Sequence, residues 1–432
     1  MRLSPIYTAA RTRDIKALCQ RLHAISKRYG LTATPMERSL HQFSELLEQF
    51  DCPATVPVTA ISLSRYRQVI NRYLSTNIEF AVHGYTHTDY SLMKDGAIAW
   101  HLRTARKNFT KAGLSPAGFR SPYLSRPGEL HSALASAGFS YVSNQPFLWE
   151  NVDPDTCLPS PAGYTRALCS YDPWKSGQRL SLPRLVDGLV EIPVSLPDDE
   201  MLVDRKGCTP ELVRRVWLNM LAQSYRHGEL LTLQLHPERI ALCTDPLAAL
   251  LAEARRRSPA VWCAQLNEVA AWWRARSQAR FEISYQGDDH YQCLVNGPQG
   301  LTVLARGVST EAPTSAWMNG YSVVHARCFN FHSPLRPLVG VAPSSPPGLI
   351  SYLRQLGFAV EPTPDKELYG CHIEQPDFAG TDERRIMEII RKSDRPVVRL
   401  GYWPNAYASA LCITGDIDAF TLWDFALRIL GK

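Results

Sequence analysis

The histidines of the segment His83-Gly84-Tyr85-Thr86-His87 stand four residues apart. On one turn of helix that spacing puts two imidazoles on the same side and within reach of a single metal ion. It serves equally for two hydrogen-bonded histidines at a helix start, with Asp89 as an ordinary partner. Near the other end of the chain, Gly415-Asp416-Ile417-Asp418 sets two carboxylates two residues apart. On an extended loop they point differently, so one can ligate a metal while the other approaches bound water. Acids that favour a helix dipole would give the same pattern. Arg120 can hold a carboxylate ionised through a bidentate contact, whereas on the surface such a pair contributes little. His236, followed by Pro237, stands where a general acid could protonate a leaving amine or alcohol, or where a histidine simply caps a strand end. Two neutral imidazoles and an aspartate would leave open positions on a divalent ion, which lowers the pKa of bound water and stabilises an oxyanion.

These residues share one placement. His83 and His87 follow the run Ile78–Val82, Arg120 follows Ala117-Gly118-Phe119, His236 follows Leu230–Leu235, and the aspartates follow Ala410–Thr414. In parallel α/β folds the loops after the strands are where active sites assemble. The elements that would carry them recur from residue 14 to about 278, where helical periodicity at about 14–28, 36–50, 64–75, 96–112, 129–138, 210–226, 245–257 and 263–276 alternates with short β-branched runs. The clearest strand runs are Ala54–Thr59, Ile78–Val82, Leu189–Val194 and Leu230–Leu235, and their near-continuous apolar character suits strands covered on both faces.

Past residue 278 the pattern changes. FEISYQ, YQCLVN and LTVLARG alternate between the turn signals GDD and NGPQG, which predicts a small antiparallel β module to about residue 335. Residues 336–405 then read as a small α/β module, in which the SSPPG loop starts a helix with proline at its first position. The last segment, 406–432, is a strand, an acidic loop and a helix. A lone βα unit cannot bury both its faces, so this one is expected to join a sheet formed elsewhere in the chain. Packing against the preceding βαβ unit, with no part in a site, is the alternative.

At 432 residues, with 45% hydrophobic and 20% charged residues, the chain is an ordinary globular protein of more than one module. A formal charge of +6, not gathered into a basic run, points to no nucleic-acid partner; the Arg255–Arg257 cluster reads as the solvated end of a helix. The 11 cysteines show no CxxC pair, and neither a signal-peptide h-region nor an apolar run near membrane-spanning length is present. The expectation is a soluble cytoplasmic protein with reduced thiols and no integral membrane segment, with a homo-oligomer left open.

HGYTH, GFRSPY and LTLQLHP, in that order, make residues 36–240 resemble the NodB-homology polysaccharide deacetylases of carbohydrate esterase family 4. The resemblance implies a distorted (β/α) barrel and metal-dependent N- or O-deacetylation of sugars. By this likeness His83 and His87 match the histidine ligands, Arg120 the arginine that orients the base, Tyr123 the backbone N–H donor to the oxyanion, and His236 the general acid. The family opens with an aspartate motif on its first strand, which residues 1–15 lack. TGDIDAFTLWDF resembles that motif at the opposite end, with Asp416 matching the catalytic base and Asp418 the metal ligand. A circular permutation is therefore expected, residues 1–278 forming a barrel that 406–432 completes. Asp198 or Asp199, in LVEIPVSLPDDE, would support Arg120 or shape the substrate site. Zn²⁺ is the expected ion, although Co²⁺, Ni²⁺ and Mn²⁺ use the same ligands. The implied substrate is an acetylated carbohydrate or glycolipid. Relatives that cleave non-sugar C–N bonds make an amidase the second expectation, and a degenerate binding protein the third.

Overall fold

The computed structural model describes residues 25–26, 28–94, 96–152 and 162–429. Most of the helix expected at 14–28 lies outside them. The strands of the first half are β1 (Ala54–Val58), β2 (Ile78–Val82), β3 (Gly118–Phe119), β4 (Tyr141–Val142), β5 (Pro146–Leu148), β6 (Trp174–Lys175), β7 (Arg184–Val186), β8 (Leu189–Glu191), β9 (Val194–Leu196), β10 (Leu230–Leu235) and β11 (Val261–Cys263). The second half adds β12 (Arg280–Gly287), β13 (His290–Asn296), β14 (Val303–Arg306), β15 (Ser309–Thr310), β16 (Thr314–Ala316), β17 (Ser322–Val324), β18 (Cys328–His332), β19 (Arg336–Val341), β20 (Val360–Pro362), β21 (Tyr369–Ile373), β22 (Val397–Leu400) and β23 (Ser409–Gly415).

One large, mostly parallel sheet dominates, in the order β6-β5-β9-β10-β23-β1-β2-β3-β4-β8-β7, with β11 also paired to β23. The C-terminal strand is thus an interior strand. It runs parallel to β10 from Leu230↔Ala410 to Leu235↔Gly415, and on its other side it meets β11 at residues 409–411 and β1 at Ala54↔Ile413 and Thr55↔Thr414. All seven of its residues are buried. Alternate side chains enter different cores: Leu411 and Ile413 pack with Phe43, Trp217 and Leu233, while Ala410 and Cys412 pack with Tyr141, Leu266 and Trp273. That two-sided burial explains the unbroken apolar run of its sequence.

Helices cover this sheet. In α1 (Thr34–Gln49), Met36, Leu40, Phe43, Leu46 and Leu47 recur at helical spacing and form one buried stripe, with a proline in the first turn. Further along, α2 (Pro210–His227) begins at Thr209, whose side chain accepts from the Leu212 N–H, and ends at left-handed Gly228. It presses Val213, Val216, Trp217, Met220 and Leu221 onto the sheet. Among the described residues no helix is long and apolar enough to cross a membrane.

Local pattern misread two places. The single strand expected over Leu189–Val194 is two, because Pro193 has no N–H for a ladder; β8 pairs with β4 and β9 with β5 and β10. The expected antiparallel module is split as well. β12, β13, β18 and β15 form one sheet, whereas β14 joins β16, β17 and the distant β22 in another. The parallel β19-β20 pair, with β21 on the far side of β19, makes a third small sheet. Arg276 locks these parts to the large sheet by donating to the carbonyls of Gly401, Gln355 and Leu356, and Arg384 does so by pairing with the buried Glu229. From β22 the chain passes Trp403, whose indole donates to the Gly228 carbonyl, and enters β23.

Candidate active site

Everything of chemical interest stands where strands of the large sheet end. The acidic loop after β23 continues the ladder, with Asp416 N–H donating to Leu235 and Ile417 N–H to Pro57. Asp416 is thereby fixed between two partners: Arg120 Nη1 donates to its Oδ1 at 2.8 Å and Gln234 Nε2 to its Oδ2 at 3.0 Å. Two residues on, Asp418 Oδ1 lies 3.3 Å from His83 Nε2 and 3.1 Å from His87 Nε2, while Arg428 Nη1 holds Oδ2 at 2.6 Å. The two carboxylates therefore face different groups, as the D-x-D spacing suggested.

The histidine segment is not a turn of helix. Residues 83–89 form an irregular loop in which Gly84 adopts φ 81°, where an added Cβ would meet the Thr86 carbonyl at 2.9 Å. The loop still brings the two rings together, with centroids 5.1 Å apart. His83 Nδ1 donates to the Arg120 carbonyl at 2.9 Å, which fixes the tautomer that leaves Nε2 as an acceptor in the neutral ring. Burial, reinforced by the Arg428 charge, depresses His87 to about 3. Asp418 lies well below the ordinary carboxylate range: Arg428 leads the effects that overcome the opposing cost of burial.

The chemistry of this donor set fits a cation. His83 Nε2 and His87 Nε2 converge on the buried Asp418 Oδ1, and burial disfavours the charged form of His87. The ligand atoms of His83, His87 and Asp418 all lie within 4.8 Å of one another. Neutral imidazole and carboxylate suit Zn²⁺ and similar ions.

Arg120, 1% exposed, does not grip Asp416 in the bidentate manner expected. Only Nη1 reaches it, and the same nitrogen donates to Thr414 Oγ1 at 2.7 Å. The remaining donors go to Ser143, Nε to its carbonyl and Nη2 to its hydroxyl. Tyr123 stands in the left-handed region at φ 59° in a tight turn, its ring edge-on to His87 at 4.7 Å and beneath the Arg428 guanidinium.

His236 sits across the cavity. Asp199, fully buried, accepts from both the backbone N–H and Nδ1 of His236 at 2.7 Å. Burial alone would lower the imidazole, but the Asp199 charge outweighs it and raises His236 to about 10. The ring is thus a cation whose Nε2–H is its uncommitted donor. Asp199 accordingly serves His236 and makes no contact with Arg120, whereas Asp198 lines the cavity and is pushed up to about 7 by burial and by the charges of Asp199 and Glu200.

These groups share a cavity of about 550 Å³, lined by His83, His87, Tyr123, His236, Asp416 and Asp418 together with Arg28, Arg166, Arg239 and Arg428. Its size is that of a small-ligand site. Another cavity of about 490 Å³ lies between the large sheet and the C-terminal modules and holds none of these groups. Arg428 is not singled out by any motif of the sequence. Its only local signal is an arginine three residues after Phe425 on a helix, α3 (Leu422–Ile429), whose other residues are apolar except Asp424.

Residues 29–142 match the polysaccharide deacetylase family model. The match includes His83, His87, Arg120 and Tyr123 and ends before His236 and the C-terminal aspartates. No curated protein matches the chain significantly. Among solved structures, one described as a polysaccharide deacetylase from Mycobacterium smegmatis is similar at 21% identity over 58% of this chain and 81% of that one, with a TM-score of 0.45. A polysaccharide deacetylase structure from Pseudomonas aeruginosa PAO1 follows at 19% identity over 55% and 73%, TM-score 0.44. The structure of Puue allantoinase matches at 18% over 55% and 72%, TM-score 0.42.

Proposed function

We propose that this chain, which carries a polysaccharide deacetylase domain, is a metal-dependent hydrolase that removes an N- or O-linked acetyl group from a sugar. The observation that carries the reading is the meeting of Asp418 with His83 and His87, and of Asp416 with Arg120, across some three hundred residues of sequence at one end of one sheet. On this reading the family's first motif stands at the C-terminus, in the loop after β23.

A divalent cation held by His83, His87 and Asp418 would supply Lewis acidity, acidifying water and polarising the acyl oxygen. Every other step falls to groups of the protein itself. Asp416, oriented through both oxygens by Arg120 and Gln234, takes the proton of the attacking water. The Tyr123 N–H donates to the oxygen on which negative charge develops. His236, kept cationic by Asp199, gives its Nε2 proton to the departing amine or alcohol, so the leaving group departs neutral. Acetate and the deacetylated sugar result.

Acetate release from N-acetylglucosamine oligomers and from O-acetylated xylan, measured with wild type and Asp416→Asn in the presence of Zn²⁺ or Co²⁺, tests this. Wild type should release acetate and the variant should be slower by about 10²-fold or more. Release that is equal in the two proteins, or absent from every acetylated sugar, would overturn the proposal.

A further inference from the structure

Glu191 closes β8 outside the cavity, and its carboxylate is buried at 6% exposure. A buried carboxylate costs several kcal/mol unless it is fully hydrogen-bonded, and an apolar residue usually packs such a place more cheaply. Two of the three bonds it makes lead toward the site. Oε1 accepts the backbone N–H of Asn144 at 2.9 Å and of Gln145 at 3.0 Å, and Oε2 accepts from His131 Nε2 at 2.9 Å.

The two amides belong to the turn after β4, and that turn is what Arg120 rests on. Ser143 takes the Nε and Nη2 donors of Arg120 through its carbonyl and hydroxyl. The next residue, Asn144, accepts the Ser121 N–H on its Oδ1 at 2.8 Å, and its Nδ2 is left buried without a partner. An asparagine that leaves a donor unsatisfied is held there for its oxygen. Arg120 in turn reaches Asp416 through Nη1 and receives His83 Nδ1 on its carbonyl. Ser121 opens the turn that contains Tyr123.

We propose that Glu191 is a positioning residue of the site: by fixing turn 143–145 it sets the placement of Arg120 and Ser121, and through them of Asp416, His83 and the Tyr123 turn. It touches neither substrate nor metal. What matters is its reach and its oxygen acceptors, because the groups of turn 143–145 that it holds are neutral amides. The activity arm of the test rests on the deacetylase reading; the exchange arm does not.

Two variants separate reach from charge. Glu191→Gln keeps an oxygen at full reach for both amides and loses the charge; Glu191→Asp keeps the charge and falls one methylene short. Glu191→Asp should lower kcat by about 10- to 100-fold with KM within about twofold, while Glu191→Gln stays within about threefold of wild type. Hydrogen–deuterium exchange should rise over 118–125 and 143–146 in Glu191→Asp, stay near wild type in Glu191→Gln, and leave metal content unchanged in both. The reverse ranking would show that charge matters and overturn the proposal, as would wild-type exchange in Glu191→Asp. Should wild type hydrolyse no acetylated sugar, the deacetylase reading falls and the exchange data alone decide the role of Glu191.

Discussion

Replacing Asp199 by asparagine removes the charge that keeps His236 protonated while preserving shape and an acceptor oxygen for Nδ1–H. The rise of His236 from 6.5 to about 10 corresponds to about 5 kcal/mol of preference for the imidazolium. Breaking a buried pair typically costs about 3–5 kcal/mol, and this pair is well enclosed, with side chains 11% and 0% exposed. The sign follows from the direction of the shift. A histidine raised in the folded state contributes its full stabilisation below the unfolded pKa near 6.5 and loses it as pH climbs through about 10. Asp198, raised from 3.8 to about 7, loses stability as it ionises in the lower window between those values, so the comparison is made above it. Unfolding free energies from urea titration of wild type and Asp199→Asn, taken from pH 7.5 to 10.5, should differ by about 3–5 kcal/mol at the low end and converge at the high end. The alkaline limb of turnover should move to lower pH in the variant, because the general acid loses its proton sooner. A stability difference that stays constant across this range would refute the ion-pair account of His236.

Truncation after Ala408 removes β23 and the site aspartates together. Leu411, Ile413, Ile417 and Phe420 are fully buried, and at about 1.5–3 kcal/mol each their loss rivals the whole stability of a typical domain. The truncated chain should therefore lack a cooperative unfolding transition by circular dichroism, and a sharp transition near the wild-type temperature would contradict the placement of this strand. Arg428→Met leaves Asp418 Oδ2 buried and unpaired, a loss of about 3 kcal/mol by urea titration. Saturating Zn²⁺ should recover part of that loss, since a ligand bound only by the folded state stabilises it; an equal loss with and without Zn²⁺ would contradict the shared carboxylate.

How far the sequence could be read depended on whether a feature was local. Strand runs that end in a polar residue are local, so Ile78–Val82 before His83, Leu230–Leu235 before His236 and Ala410–Thr414 before Asp416 all pointed to one end of one sheet. Because a lone βα unit cannot bury both its faces, the last strand was expected in a sheet formed elsewhere, and its partners there lie about 180 and 360 residues earlier. Conformation inside the histidine segment was not legible, because spacing of four residues suits a helix and Gly84 at φ 81° instead makes a loop. Nor could the sequence show that β14 pairs with β22 some ninety residues later, since register between distant strands leaves no local period. The supporting contacts were hidden for the same reason. Ser143 beneath Arg120 and Arg428 on Asp418 are unremarkable in their own segments and acquire a role only where segments meet, and Asp199, expected to support Arg120 or shape the substrate site, stands behind His236 instead.

The central claim is that the two ends of the chain build one metal centre. Metal content per chain, measured on purified wild type, His87→Ala and Asp418→Ala after equilibration with Zn²⁺, tests it most directly. The account expects about one equivalent in wild type and loss in both variants. Retention of metal by Asp418→Ala while His87→Ala loses it would place the C-terminal aspartate outside the centre and contradict the account.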